Sequence, residues 1–349
     1  MSSKLQVNVG TVTIGAGAPV VIQTMLKSHT HDTYKCIEEI HRISQAGADL
    51  VRVAIPDELA LKSFAEIIKS SSLPIIADVH FNPKLALGAI EAGAAKLRIN
   101  PGNIKHKDDL RQIAKLAKDK VIPIRIGVNS GSLPEQILKI FHHPTPEAII
   151  TALSETVKLF EDFGFIDLVL AAKSSNAKVT IEVYRMMAER FPYPLHLGLT
   201  EAGLPFEGAI RSTAAMAPLL LEGIGDTIRM SLTGPAEKEV EACWELLRSL
   251  ELRKRGIRFI SCPGCGRTEI DIEHLAKEVK VRLKNIKKTM TVAVMGCVVN
   301  GPGEAREADY GIAGGKGQGI IFRKGKVIKT LPENKLQDAL LELIEKDLS

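Results

Sequence analysis

Eight times between residues 20 and 232, an aliphatic run gives way to a polar loop and then to a helical pattern. The runs cover residues 20–25, 49–55, 74–81, 95–100, 121–129, 167–172, 194–200 and 227–232. The clearest helical patterns cover 33–45, 146–163 and 236–250. Strands that alternate with helices are joined by crossovers, and crossovers join parallel strands. Parallel strands are covered on both faces, so the runs are rich in Val, Ile and Leu. Eight such units over roughly 250 residues predict an α/β fold, a closed (β/α)8 barrel of the TIM type. An open doubly wound sheet would need a glycine-rich phosphate loop after its first strand. Gln23-Thr24-Met25-Leu26 is not one. Residues 4–19 read as a short strand or hairpin ahead of the barrel.

The ends of the predicted strands carry charge. Arg52 lies in the second, Asp78 and His80 in the third, Arg98 and Asn100 in the fourth. Arg125, Gly127 and Asn129 end the fifth, and Lys173 follows the sixth. His196, Gly198 and Thr200 lie in the seventh with Glu201 next, and Arg229 and Ser231 end the eighth. Within a strand these residues are two apart, so each set shares one face. Their neighbours Leu97, Ile99, Ile124, Ile126, Ile228 and Met230 then face the helices. Barrel enzymes build their sites at the C-terminal ends of the strands. Four arginines and a lysine converging there need partners. Asp78 and Glu201 are available to neutralise some of them. The surplus points to a ligand with several negative charges, which the guanidinium fork binds bidentately. For any single arginine an internal salt bridge is an equal alternative. His80 fits a hydrogen-bonding or acid/base role. His196 fits a core position as well as a ligand contact.

Composition sets the remaining bounds. The 349 residues suffice for a barrel and a smaller second domain. A net charge of +5 is too weak to argue for nucleic acid. Five cysteines without regular spacing do not form a secreted disulfide scaffold. Cys36 and Cys243 fall in helical patterns and read as buried thiols. The start, Met-Ser-Ser-Lys-Leu-Gln-Val, lacks a signal-peptide core, and no apolar run is long enough to span a bilayer. The expected location is the cytoplasm.

The barrel is expected to occupy residues 1–252, followed by a solvated linker at 253–256 and a small α+β domain at 257–349. That domain reads as a strand at 258–261, a helix at 272–286, a strand at 289–297, a hairpin of 319–322 with 326–330, and a final helix at 334–346. Gly311, Gly314, Gly315, Gly317 and Gly319 read as a mobile loop. Cys262 and Cys265 have C-x-x-C spacing around Pro263 and Gly264, which suit a tight turn. Cys297 closes an apolar run and is followed by a Gly/Pro/Asn-rich loop that contains Glu304. Three thiolates with a weaker carboxylate suit a [4Fe–4S] cluster with one exchangeable iron. A structural zinc knuckle with a fourth ligand from elsewhere remains the alternative. A polyanion-gripping mouth and an open-iron cluster over one substrate would make a reductive C–O cleavage of a phosphorylated metabolite.

Several motifs then carry a resemblance. Val51-Arg52-Val53-Ala54, Leu97-Arg98-Ile99-Asn100-Pro101-Gly102-Asn103, the run Arg125–Ser132, Thr200-Glu201-Ala202-Gly203, Gly225-Asp226-Thr227-Ile228-Arg229 and the run Met295–Ala305 resemble the 4-hydroxy-3-methylbut-2-enyl diphosphate synthase family, in its two-domain bacterial form. The resemblance implies reductive opening and dehydration of 2-C-methyl-D-erythritol 2,4-cyclodiphosphate in the non-mevalonate isoprenoid pathway. It implies Cys262, Cys265, Cys297 and Glu304 as cluster ligands, and Arg52, Arg98, Arg125, Lys173, Arg229 and Ser231 as the diphosphate clamp. Asp78, His80, Asn129, Thr200 and Asn300 match further substrate positions, and Glu201 matches a proton donor. It also implies flavodoxin or ferredoxin as electron donor, and a homodimer in which the cluster domain of one chain covers the barrel of the other. The chain departs from the family at Gln23-Thr24-Met25-Leu26, where Gln-Ser-Met-Thr is usual, and the loop Lys173-Ser174-Ser175-Asn176 fits less strictly.

Two other readings compete. A non-redox barrel enzyme on a phosphorylated or pterin-like substrate, with a zinc-stiffened tail, would be colourless and active without electrons. A non-enzymatic iron–sulfur sensor would leave the inward cations of five strands without a use.

Overall fold

The computed structural model describes residues 3–104, 106–129, 131, 133–284, 286–297, 303 and 305–348. The chain divides into two compact units, Met1–Arg253 and Lys254–Ser349.

The first unit begins with an antiparallel hairpin, β1 (Gln6–Val9) and β2 (Val12–Gly15). The barrel strands follow: β3 (Val21–Met25), β4 (Leu50–Ala54), β5 (Ile75–Asp78), β6 (Lys96–Ile99), β7 (Ile124–Asn129), β8 (Leu168–Lys173), β9 (His196–Leu197) and β10 (Thr227–Ile228). They pair in parallel in chain order, and β10 returns to β3. A Leu170–Leu195 bridge, with Leu170 N–H donating to Pro194 O at 2.8 Å, closes the ring between β8 and β9. The eight predicted runs thus form a closed parallel barrel. The last two strands are shorter than their runs. Gly198, just beyond β9, lies so close to the Arg229 carbonyl that an added Cβ would stand 3.0 Å from its oxygen.

The helices are α1 (Thr33–Ala46), α2 (Glu58–Ser70), α3 (Pro83–Glu91), α4 (Lys107–Asp119), α5 (Glu135–Phe141), α6 (Pro146–Asp162), α7 (Ala177–Arg190), α8 (Pro205–Leu221) and α9 (Ala236–Ser249). Local chemistry sets several starts. Asp57, Thr145 and Asn176 accept from the backbone N–H three residues on, capping α2, α6 and α7. Leu97, Ile99, Ile124, Ile126, Ile228 and Met230 lie in the buried core between strands and helices, as their parity predicted. Cys36 and Cys243 are buried in α1 and α9. The hairpin supplies Val7, Val9 and Ile14 to a second apolar cluster with Val21, Leu50, Ile76 and Val169, which floors the barrel. Arg253 does not behave as solvated linker. It pairs with Asp49, donates to Val20 O at 2.9 Å and stacks 4.5 Å above the Trp244 ring.

The second unit carries a mixed sheet in the order β11 (Ile257–Ser261), β12 (Met290–Met295), β13 (Tyr310–Gly315), β14 (Gln318–Arg323), β15 (Lys326–Pro332). The first three run parallel, and the last two are antiparallel additions. Helices α10 (Ile272–Arg282) and α11 (Glu333–Leu348) bury Val279, Leu336, Leu340 and Ile344 against Val292, Val294 and Ile312. The glycine-rich stretch expected as a mobile loop is instead the β13–β14 hairpin. Its glycines make room for side chains: a Cβ on Gly311 would fall 2.1 Å from Phe322, and one on Gly314 2.3 Å from Ile270. Glycine here reports close packing within strands, and a cluster of glycines looks the same in a sequence whether it packs or turns. Among the described residues, no helix is long and apolar enough to cross a membrane.

Candidate active site

Parallel register stacks the inward side chains of a barrel in layers. Above the hairpin side chains and Val21 lie Leu50, Lys96, Val169 and Thr227, and above them Gln23, Ile76, Arg125 and His196. Arg52, Arg98, Ala171 and Arg229 come next, then Met25, Asp78, Gly127 and Gly198, with Lys173 and Ser231 at the rim. Gly127, Ala171 and Gly198 contribute almost no volume, so the mouth is hollow on the β7–β9 side. The cavity there is lined by Arg52, Lys173, Tyr184, His196, Gly198, Thr200, Arg229 and Ser231, with Leu199 behind.

Asp78 is the hub of one charge cluster. Its Oδ1 accepts from Arg98 Nη1 at 2.9 Å, and its Oδ2 lies 3.2 Å from Arg52 Nε. Burial alone would raise its pKa, but Arg52, Arg98 and Arg125 hold the carboxyl well below the usual range. Arg98 Nη1 also donates to His80 Nε2 at 2.7 Å. Burial, with the surrounding guanidinia, lowers the His80 pKa despite Asp78 beside it. His80 is therefore a neutral acceptor here. Arg52 additionally donates to Met25 Sδ.

A second hub lies outside the expectations from sequence, which look to Glu201 for this charge. Glu239, in the first turn of α9 and fully buried, grips Arg229 with both oxygens at 3.0 and 3.1 Å. It also accepts from Lys27 Nζ and Thr24 Oγ1, each at 2.7 Å. No local signal separates it from a solvent-facing helix acid.

The remaining cations have no such answer. Arg125 is fully buried, and none of its three guanidinium nitrogens has a hydrogen-bond partner among the described residues. Lys96 Nζ is in the same condition. Its parity with Arg98 and Asn100 was the available sequence signal. Burial and the nearby arginines push Lys173 down to about 6. Asn129 faces the mouth with Oδ1 buried and without a partner among the described residues. His196 donates or accepts through Nδ1 to Thr227 Oγ1, and burial with neighbouring cations drives its pKa well down, so it is a neutral core histidine. Asn100 braces the turn after β6 by accepting from Gly102 N–H. Glu201 is exposed and holds a left-handed backbone at φ 54, a strained conformation of the kind found at functional sites.

In the second unit, the parallel register of β11 and β12 brings their C-terminal ends side by side, so Cys262 and Cys297 emerge together. Gly296 N–H donates to Cys262 Sγ at 3.1 Å. Cys265 N–H donates to Thr268 Oγ1 at 2.9 Å, and Glu269 N–H donates to Gly296 O at 3.2 Å, fastening the C-x-x-C turn to the end of β12. A Cβ on Gly296 would stand 2.9 Å from Thr268, so only glycine permits this approach. Cys262 and Cys297 are half-buried and Cys265 is exposed. Among the described residues, no three Cys, His, Asp or Glu side chains close on one metal-ion position. A single tetrahedral zinc needs its ligands within about 2.3 Å of one point. A cluster spreads its thiolates over several irons, and backbone N–H groups at its sulfurs are part of such sites. The donor set fits that group. Asn300 and Glu304 lie outside the described residues.

Comparison with known proteins agrees with both units. The GcpE TIM-barrel domain model matches residues 4–244, and the GcpE protein C-terminal domain model matches residues 258–346. A 4-hydroxy-3-methylbut-2-en-1-yl diphosphate synthase (flavodoxin) of Caldanaerobacter subterraneus subsp. tengcongensis is 49% identical, over 98% of this chain and 96% of its own. A protein of that name from Clostridium acetobutylicum is 50% identical, over 97% of each chain. Among solved structures, 3-dehydroquinate dehydratase from Geobacillus kaustophilus aligns with a TM-score of 0.51 at 13% identity, over 72% of this chain and 98% of that one. At that identity the likeness speaks of the barrel fold alone.

Proposed function

The chain belongs to the GcpE family, and on that premise we propose how its two units carry out the family's reaction. It is an oxidoreductase, a 4-hydroxy-3-methylbut-2-en-1-yl diphosphate synthase of the flavodoxin-dependent kind, as its motifs implied. It opens and reduces 2-C-methyl-D-erythritol 2,4-cyclodiphosphate on the non-mevalonate route to isoprenoids.

We infer that the barrel mouth is the diphosphate clamp. What supports this most is Arg125, whose three buried nitrogens lack any acceptor among the described residues. Phosphate oxygens supply acceptors of the right charge, and the guanidinium fork takes two at once. Arg52, Arg98, Lys173, Arg229 and Ser231 complete the clamp. Asp78 and Glu239 hold three of those arginines in place without cancelling the surplus. Asn129, Thr200 and His80 orient the carbon skeleton and its hydroxyls, His80 as a neutral hydrogen-bonding group. Glu201 gives a proton to the substrate hydroxyl that leaves as water, and its strained backbone aims it. Asn300 joins Asn129, Thr200 and His80 as a further substrate-binding residue.

Cys262, Cys265 and Cys297 hold a [4Fe–4S] cluster, with Glu304 as the replaceable fourth ligand. When bound, that cluster supplies electrons singly and a Lewis-acidic iron. The Gly296 N–H donates to Cys262 Sγ at 3.1 Å, a hydrogen bond of the kind that cluster sulfurs accept. Flavodoxin is the electron donor, with ferredoxin as substitute. The working form is a cytoplasmic homodimer in which the cluster domain of one chain serves the barrel of its partner. The chain passes from the first unit to the second after Arg253.

The test is anaerobic reconstitution with iron and sulfide, followed by turnover of the cyclodiphosphate with reduced flavodoxin. A broad absorption near ~400 nm that bleaches on reduction, about four irons per chain, and turnover are expected. A colourless protein with one zinc would sink the redox mechanism.

A further inference from the structure

We propose that Lys96 is uncharged in the ligand-free barrel and takes up a proton when a diphosphate binds above it, so that substrate binding is coupled to proton uptake. The inference rests on the reading of the mouth as a diphosphate clamp.

Lys96 opens β6 and points inward, in the layer with Leu50, Val169 and Thr227. Beneath it is the apolar floor of Val7, Val9, Ile14 and Val21. The side chain is fully buried, and Nζ has no hydrogen-bond partner among the described residues. Directly above lie Arg125 and Gln23, whose guanidinium nitrogens and amide atoms are likewise without partners there.

The charged and titratable groups around it do not answer an ammonium. Arg125 of β7 and Arg52 of β4 are the charges that act on it, and both are positive. Arg98 stands higher on β6 with the same sign, and Lys173 of β8, pushed down to about 6, adds no opposite charge. His196 of β9 is neutral and bonded to Thr227 of β10. Asp78 of β5 is committed to Arg52 and Arg98, and Glu239 of α9 to Arg229 and Lys27. Asp226, at the foot of β10, accepts from Leu195 N–H and Ser3 Oγ.

A buried cation with only like charges nearby sheds its proton if it can. Guanidinium does not deprotonate in proteins, but an amine does. Burial, then Arg125 and Arg52, accordingly push Lys96 well below the ordinary lysine value. A diphosphate gripped by Arg125 and Arg52 brings several negative charges into the layers just above. In a low-dielectric interior that field is strong, and it reverses the balance at Nζ. Lys173 belongs to the clamp and contributes a proton of its own. Lys96 touches no substrate and acts through the charge balance of Arg125.

The experiment is calorimetric titration of the reconstituted enzyme with inorganic pyrophosphate at about pH 8, in buffers of different ionisation enthalpy. The dependence of the heat on buffer counts protons taken up. Wild type is expected to take up about one proton more per site than Lys96→Met. Because each proton taken up lowers affinity about tenfold per unit rise in pH, wild-type affinity should fall more steeply by that factor. The ionisation of pyrophosphate is common to both proteins and drops out of the difference. Lys96→Gln, which keeps a polar group at that depth, must show the same loss and serves if the Met variant does not fold. Equal uptake by wild type and either variant, with binding intact, overturns the inference alone. Failure of wild type to bind pyrophosphate overturns it together with the clamp reading.

Discussion

Glu239 and Arg229 form a buried bidentate pair, Nε to Oε2 at 3.0 Å and Nη2 to Oε1 at 3.1 Å. The same carboxylate accepts from Lys27 Nζ, so α9, the end of β10 and the loop after β3 are tied to one group. Removing one partner of a buried pair leaves its cations uncompensated, which costs about 3–5 kcal/mol. Glu239→Ala should lose stability of that order in urea unfolding and should weaken pyrophosphate binding by releasing Arg229. A loss within about 0.5 kcal/mol, the range of an ordinary surface substitution, would show that solvent replaces the carboxylate.

Asp78 gives the fold an acid-sensitive term. Its folded-state pKa lies below the ordinary 3.8, so its contribution is complete above that value and is lost as pH falls through and below it. Wild type should therefore lose stability between about pH 4 and pH 2 more steeply than Asp78→Asn, which should already be less stable at neutral pH by about 3–5 kcal/mol. Denaturant melts across that range decide the point. Parallel acid profiles would place the acid-labile group elsewhere.

Arg125→Ala should weaken substrate binding by ~1.5–3 kcal/mol, the value of a hydrogen bond to a charged group, or roughly ten- to a hundredfold in Kd. Unchanged affinity would remove Arg125 from the clamp. Because its charge is opposed by burial and by Arg52 and Arg98, the variant should fold at least as stably as wild type. Destabilisation by several kcal/mol would instead make Arg125 a structural group.

Glu201→Gln should bind the cyclodiphosphate normally and turn it over at least ~100-fold more slowly, the scale of general acid catalysis. Glu201→Gly relaxes the left-handed backbone and removes the acid together, so it should be stable yet equally slow. Normal turnover by the Gln variant would rule Glu201 out as the acid.

Much of this was legible in the residues because it depends on local periods. Strand parity alone put Arg52, Asp78, Arg98, Arg125 and Arg229 inside the barrel and Leu97, Ile126 and Ile228 outside it. The same parity held for Lys96, but a lysine at the start of a strand resembles a solvent-facing rim residue, and its burial depends on a floor built by the N-terminal hairpin. The β13–β14 glycines misled for a related reason. Gly311 is required by the Phe322 ring across the hairpin and Gly314 by Ile270, and neither neighbour is visible from a glycine count.

Residue order was enough for the architecture and the chemical inventory: eight parallel units, inward cations at their ends, and cysteines at the tips of two later strands. Alternation along a strand and the spacing of a turn are properties of adjacent residues, so they survive without knowledge of the fold. Which charges are matched is another matter, settled by the packed chain. Lys27 finds Glu239 212 residues away because the closing of the barrel returns β10 to β3. Arg125 and Lys96 have no hydrogen-bonded acid among the described residues, because the floor and the ring of strands bury them among like charges. Pairing and burial are set by which distant segments meet, and that is a consequence of closure rather than of any local pattern.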